Sequence, residues 1–358
     1  MRQLFIVILA LFTTISASAQ EEVKNIILLI GDGMGLSSAT MMQIEGGDKA
    51  TIFDRAENIL LLRTASADNR VTDSAAAGTA LATGHKTNNT LLGITPSGEA
   101  VSSLITEASE RGMATGVAVT TYLQHATPAA FYAHAESRHD YRLITRQLVA
   151  SSLDVAIGGG MHYFKEEYAE DERIANTLNN NGFTLATSMA DVKAEDGSRR
   201  VMALLADYDL GAASGDYLAT ATAEALRLLE LRGGDAGFVL MVEGSLIDGM
   251  GHGNDAVAMQ REMESFMAAM EVAVEYAERN EGTLVIATAD HETGGLSIVS
   301  SNSDFNLSEQ GVEYRWGTDG HSAQMVPAYL YGTGAERLNG IMENSEFGER
   351  LIEIITQK

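Results

Sequence analysis

Largely apolar runs recur along the chain at Asn25–Ile30, Thr115–Thr121, Leu153–Ile157, Val201–Leu205, Phe238–Val242, Thr283–Thr288 and Val326–Tyr331. Such runs suit strands buried on both faces of a parallel sheet. Between them lie longer stretches with helical periodicity, clearest at Glu99–Gly112, Tyr141–Ser151, Asp216–Arg232 and Asp255–Asn280. In the last of these, Met259, Met263, Phe266, Met267, Met270 and Val274 recur at helical spacing. That stripe is read as core-facing in preference to a cofactor site. No low-complexity linker divides the chain, and its only prolines are Pro96, Pro128 and Pro327. The alternation of strand and helix predicts one doubly wound α/β domain with a large, mostly parallel sheet. In such folds ligands bind outside the carboxyl ends of the strands.

The N-terminus follows another pattern. Met1 and Arg2 precede an apolar run from Leu4 to Phe12, then Thr13, Thr14, Ile15 and the small residues Ser16-Ala17-Ser18-Ala19. A charged start, a short apolar core and an Ala-x-Ala site before Gln20 mark residues 1–19 as a signal peptide, in preference to a buried N-terminal strand. The run is too short to span a bilayer. The expectation is an exported protein, periplasmic or secreted after cleavage near Ala19, with no membrane span in the mature chain and residues 20–358 as a single domain.

Composition narrows the function. Among 358 residues, 49 acidic and 24 basic side chains give a formal net charge of −25. Loss of residues 1–19 removes only Arg2 and leaves −26. So acidic a chain is a poor partner for nucleic acid, whose phosphates need clustered Lys and Arg. It is also repelled by anionic membrane surfaces. The absence of cysteine excludes disulfides, zinc–thiolate sites and a cysteine nucleophile. A hydrophobic fraction of 45% is ordinary for a globular protein, so the acidity does not signal disorder.

Polar clusters sit at the predicted strand ends. The first run enters Gly31-Asp32-Gly33-Met34-Gly35. Alone, this is weak evidence, since most such aspartates make turns or cap helices. The run Phe238–Val242 enters Glu243, then Asp248 and His252, the last two one helical turn apart. The run Thr283–Thr288 enters Ala289-Asp290-His291-Glu292-Thr293-Gly294-Gly295, and Thr318-Asp319-Gly320-His321-Ser322 follows later. Together these supply four carboxylates and three imidazoles, a donor set suited to catalytic zinc and to magnesium. A multinuclear metal site is the favoured reading. Thr72-Asp73-Ser74-Ala75-Ala76 opens an Ala-rich stretch that should be helical. Ser74 or Asp73 is either a simple N-cap or part of an anion-favouring helix start with Ser74 as nucleophile. A serine nucleophile needs activation, and with no Gly-x-Ser-x-Gly elbow in the chain, metal coordination is the alternative.

These motifs, with Ala126-Thr127-Pro128-Ala129, Ser137-Arg138 and Gly320-His321-Ser322, closely resemble alkaline phosphatase. They occur in family order from about residue 25 to residue 325. The resemblance implies a three-layer α/β/α sandwich and a phosphomonoesterase acting through a phosphoserine intermediate, with two zinc ions and one magnesium. It implies Asp248, His252 and His321 as ligands of the first zinc, and Asp32, Asp290 and His291 as ligands of the second. Asp32 would bridge to magnesium, which Thr127 and Glu243 also hold. Ser74 would attack phosphorus and Arg138 would clamp two phosphate oxygens, oriented by Asp73. His125 falls near the magnesium, where members vary between Asp and His. Gly249 falls where members often have Lys, His or Trp, which implies weaker phosphate retention here. His85, His134, His139 and His162 match no ligand position and are expected to be satisfied by hydrogen bonds.

Only 25 residues separate Gly295 from His321, where larger relatives insert a subdomain. That leaves a homodimer open but puts dimerisation through the insert in doubt. Competing readings are a related hydrolase of diesters, phosphonates or sulfate esters, and a non-enzymatic binder of metal or phosphate. Thr127, Glu243 and Arg138 favour monoesters, and a nucleophile beside a complete ligand set argues against a mere binder.

Overall fold

The computed structural model describes residues 22–47, 49–211, 215–301 and 311–356. The proposed signal peptide lies outside them. In chain order the first eight strands are β1 (Asn25–Gly31), β2 (Asn58–Arg63), β3 (Ala114–Tyr122), β4 (Val155–Gly159), β5 (Phe183–Ala186), β6 (Arg200–Leu204), β7 (Phe238–Gly244) and β8 (Thr283–Thr288). Short strands β9 (Glu292–Thr293), β10 (Ser297–Ser300), β11 (Val312–Arg315) and β12 (His321–Ser322) follow, then β13 (Val326–Gly332) and β14 (Gly340–Glu343).

Ten of them form one sheet in the order β14-β2-β13-β8-β1-β7-β3-β4-β6-β5. Only β13 runs against the rest, pairing antiparallel with β8 and β2. All seven predicted runs are strands of this sheet, with boundaries within two residues. The centre is as dry as the pattern required: Ile26 to Ile30 of β1 are all fully buried. The unforeseen sheet strands β2, β5 and β14 lie toward the margins, and exposure interrupts the apolar pattern of β2 and β14. In β2, Leu60 and Leu62 are buried while Ile59 is 52% exposed.

Two helical groups cover the sheet and complete the three layers. Helices Tyr217–Gly233 and Ala256–Arg279 pack on each other and on the central strands. In the second group, Asn344–Thr356 packs on Ser74–Thr83 and Leu104–Glu110. The methionine stripe is core, as expected: Met259, Met263, Phe266 and Met270 are fully buried, and Met267 is partly so. The helix predicted from Glu99 begins instead at Leu104, because Ser103 caps it by accepting from the Thr106 amide at 3.2 Å. The residues before it pair with the loop at Ile94.

This topology sets the site. Strands β8, β1, β7 and β3 are consecutive neighbours in the middle of the sheet. All four point the same way. Their carboxyl ends therefore deliver Asp290, Asp32, Glu243 and the segment to Thr127 to one place. The stretch between Gly295 and His321 contains the β10–β11 pair, and His321 returns on β12 against β9.

Candidate active site

Asp32 leaves β1 in a turn that only glycine permits. Gly33 has φ +75°, and a Cβ there would lie 2.8 Å from the Asp248 Cα. The Gly33 amide donates to Asp290 Oδ1 at 3.1 Å, as does the His291 amide at 2.9 Å. Asp32, Glu243, Asp290 and His291 are fully buried. Asp248 and His252 sit on the short helix Leu246–His252 that follows β7.

The three imidazoles are oriented alike. Nδ1 of His252 contacts the Asp319 carbonyl at 2.6 Å, and Nδ1 of His321 contacts the Thr72 carbonyl at 2.8 Å. Nδ1 of His291 lies 3.1 Å from the Thr293 hydroxyl. For His252 and His321 a carbonyl acceptor holds the proton on Nδ1 and leaves the Nε2 lone pair available to a ligand. Nε2 of His252 is 3.2 Å from Nε2 of His321 and 3.3 Å from Asp248 Oδ2. Nε2 of His291 lies 3.4 Å from Asp32 Oδ1 and 3.3 Å from Asp290 Oδ2.

Three donor groups result, each with its ligand atoms within 4.8 Å of one another: Asp248, His291 and His321; Asp32, Asp290 and His291; Asp32, His125 and Glu243. They share His291 and Asp32, so they form a row. His252 stands beside the first group. Thr127 stands beside the third, its hydroxyl 3.4 Å from Asp32 Oδ2. His125, expected at the edge of this region, falls inside a donor group.

The electrostatics ask for cations. Asp32 Oδ1, Asp290 Oδ2 and both Glu243 oxygens are buried without a hydrogen-bond partner of good geometry. Burial, then the neighbouring carboxylates, push Asp32 well above the usual carboxylate range. Burial lifts Glu243 to about 8, with the hydroxyls of Ser245 and Thr127 offsetting only part of it. Burial and Asp248 lift Asp290 to about 6. The bases are driven the other way, His291 to about 4 and His125 to about 3, chiefly by burial. Burial also opposes the charge on Asp248, yet the His252 hydrogen bond and the other imidazoles hold it below its usual range. Asp32, Glu243 and Asp290 pushed toward neutrality beside the unprotonated imidazoles of His291 and His125 fit divalent cations, which restore the charge the fold has removed. The donor set therefore fits zinc and magnesium.

Ser74 begins the buried helix Ser74–Thr83, and its Oγ lies 3.2 Å from His291 Nε2. The cap belongs to Asp73, which accepts from the Ala76 amide at 3.0 Å, so the Ser74 hydroxyl is left facing the donor row. Asp73 also pairs with Arg138 Nη1 at 3.1 Å, so both readings of Asp73 hold at once. The other side of Arg138 meets His125 Nε2 at 3.3 Å. Gly249 is exposed on its helix, and a Cβ there would meet nothing within 4 Å. The four histidines that match no ligand position are satisfied elsewhere: His85 by the Thr83 carbonyl, His134 by the Val101 carbonyl, His139 by the Tyr141 hydroxyl and His162 by Glu166.

Three orienting groups escape a reading of the sequence: the carbonyls of Thr72 and Asp319, which have no side-chain signature, and Thr293. Glu292 is another, 2% exposed and bonded to the Leu296 amide and the Ser322 hydroxyl. It fastens β12, and with it His321, against β9. Both side chains belong to the Asp290–Gly295 motif, but their partners become visible only once β12 is placed.

Similarity to known proteins accords with this geometry. The family model for alkaline phosphatase matches residues 23–313. Alkaline phosphatase 4 of Bacillus subtilis is 30% identical over 422 aligned residues, covering 95% of this chain and 91% of the relative. Alkaline phosphatase from the Antarctic bacterium TAB5 superposes with a TM-score of 0.86 at 34% identity, covering 94% of this chain and 98% of that one. A mutant of the TAB5 enzyme, solved with Mg bound in its M3 site, superposes with the same TM-score at 33% identity, over 94% and 99% of the two chains.

Proposed function

The chain belongs to the alkaline phosphatase family of metal-dependent phosphatases, and from that premise we propose that it hydrolyses phosphate monoesters to an alcohol and inorganic phosphate through a phosphoserine at Ser74. The observation that carries this reading is the position of the Ser74 hydroxyl, at a helix start, 3.2 Å from His291 Nε2 and one residue from the aspartate that holds Arg138.

Asp248, His252 and His321 would hold one zinc, and Asp32, Asp290 and His291 the second. Asp32, Glu243 and Thr127 would hold magnesium, with His125 beside it. When bound, the ions supply Lewis-acid stabilisation of charge on the entering and leaving oxygens. Ser74 Oγ forms the bond to phosphorus as the bond to the alcohol oxygen breaks, and water later cleaves the phosphoserine. Arg138 binds two phosphate oxygens through its fork, held in place by Asp73. The helix N-terminus behind Ser74 favours the negative charge that gathers there. Against four carboxylates, three divalent ions and Arg138 leave the site positive toward a phosphate dianion.

Residues 20–358 form a single catalytic domain in this reading, and residues 1–19 direct export. Among the described residues no helix is long and apolar enough to cross a membrane. Cleavage after Ala19 in secreted material is the direct check on export.

The deciding assay compares a chromogenic phosphate monoester with its matched diester at alkaline pH, with and without chelator. Monoester preference and loss of turnover on metal removal are expected. Ser74→Ala should cut turnover by orders of magnitude while phosphate still binds. A diester preference, full activity without metal, or an active Ser74→Ala would overturn the proposal.

A further inference from the structure

We propose that Thr293 is a positioning residue that couples the two metal positions flanking Ser74, an inference that rests on the metal-dependent reading above. Thr293 is fully buried. Its Oγ1 donates to Asp248 Oδ1 at 2.5 Å and lies 3.1 Å from His291 Nδ1. A hydroxyl has one proton to give. With that proton on the carboxylate, Oγ1 accepts from His291 Nδ1–H. The hydrogen bonds therefore run in one direction, from His291 through Thr293 to Asp248. They begin at a residue of the Asp32–Asp290–His291 group and end on a residue of the Asp248–His291–His321 group.

Two glycines let the backbone approach this side chain closely. A Cβ on Gly33 would lie 2.9 Å from Thr293 Oγ1, and one on Gly251 would lie 3.0 Å from both Cβ and Cγ2 of Thr293. Gly33 belongs to the turn that presents Asp32, and Gly251 to the helix that presents Asp248 and His252. Thr293 is thus wedged between the two metal-bearing segments, with its amide donating to the Gly33 carbonyl at 3.2 Å. An ion on Nε2 of His291 polarises Nδ1–H, which strengthens the next hydrogen bond in the chain. It thereby holds Asp248 ready for the neighbouring ion. Occupancy at one position promotes occupancy at the other.

The test reads zinc binding, not turnover. Chelator-stripped protein is titrated with Zn²⁺ against a chromophoric competitor. Wild type should load its two zinc positions as a linked pair. Thr293→Val keeps the shape and loses the hydroxyl, and should bind about 10- to 100-fold more weakly with the linkage gone. Thr293→Ala should do the same, which guards against a valine variant that fails to fold. Thr293→Ser keeps the hydroxyl and should stay close to wild type. Valine or alanine titrations that coincide with wild type overturn the coupling, as does a serine variant as weak as valine. Wild type that takes up no zinc overturns the metal-dependent reading itself, so the two failures are distinguishable.

Discussion

Gly249 stands next to Asp248 at the rim of the donor row, exposed, with open space where a side chain would begin. A Cβ there displaces nothing, and the ammonium of a lysine built from it would reach toward bound phosphate. Gly249→Lys should lower the inhibition constant for inorganic phosphate about two- to fivefold, the range of a solvent-exposed ion pair. An unchanged or higher constant contradicts this. At this scale the candidate ligands Asp32, Glu243, Asp248 and Asp290 were legible because each follows an apolar run, so the chain itself marks the strand end, whereas His321 follows a polar stretch and was legible only through its motif. Thr293 was not legible as an orienting group, because its role depends on two glycines and a helix from distant parts of the chain. The carbonyls of Thr72 and Asp319 were beyond reach for a simpler reason: every residue has one.

The elements divide by how much of their environment is local. Strands buried on both faces declare themselves by composition, and β1, β3, β7 and β8 were plain. Edge strands β5 and β14 are short, β5 only half buried and β14 half exposed, so nothing in four residues separates them from a loop. The helix Ala256–Arg279 was legible from its stripe, and that stripe also supports the site. A Cβ on Gly244, at the end of β7, would lie 2.8 Å from the Phe266 ring, so the helix packs directly under the strand that presents Glu243. Phe266→Ala should destabilise the protein by about 3–5 kcal/mol, as deletion of a fully buried ring does. Chemical denaturation measures it. A loss below about 1 kcal/mol would mean that this contact does not hold the layer in place.

Over the whole molecule, the excess of acid divides into a solvated exterior and a buried row. The row makes folding depend on both pH and metal. In metal-stripped protein, burial raises Glu243 to about 8 from its ordinary 4.5, and the Asp248 hydrogen bond raises His252 to about 9 from 6.5. Between pH 6.5 and 9 the folded chain therefore holds protons that the unfolded chain has released. Stability must fall as pH rises through that window. His291 and His125, depressed to about 4 and about 3, act in the opposite sense, but only below pH 6.5. Thermal midpoints of stripped protein should drop from pH 6.5 to 9, and the gap to metal-loaded protein should widen. A stripped-protein midpoint that stays flat or climbs across this range rules the account out.

The row is also uneven in depth. Asp32, Asp290 and His291 present no side-chain surface to solvent, whereas the side chain of His252 is 42% exposed. An ion at the rim can therefore be traded with the surrounding water through small movements of one short helix. An ion at the inner position, enclosed by side chains with no surface facing solvent, would leave more slowly. In the proposed arrangement the two exchange on different clocks. On sudden withdrawal of free metal the outer position would empty sooner than the inner one, so turnover would fall before the inner ion leaves.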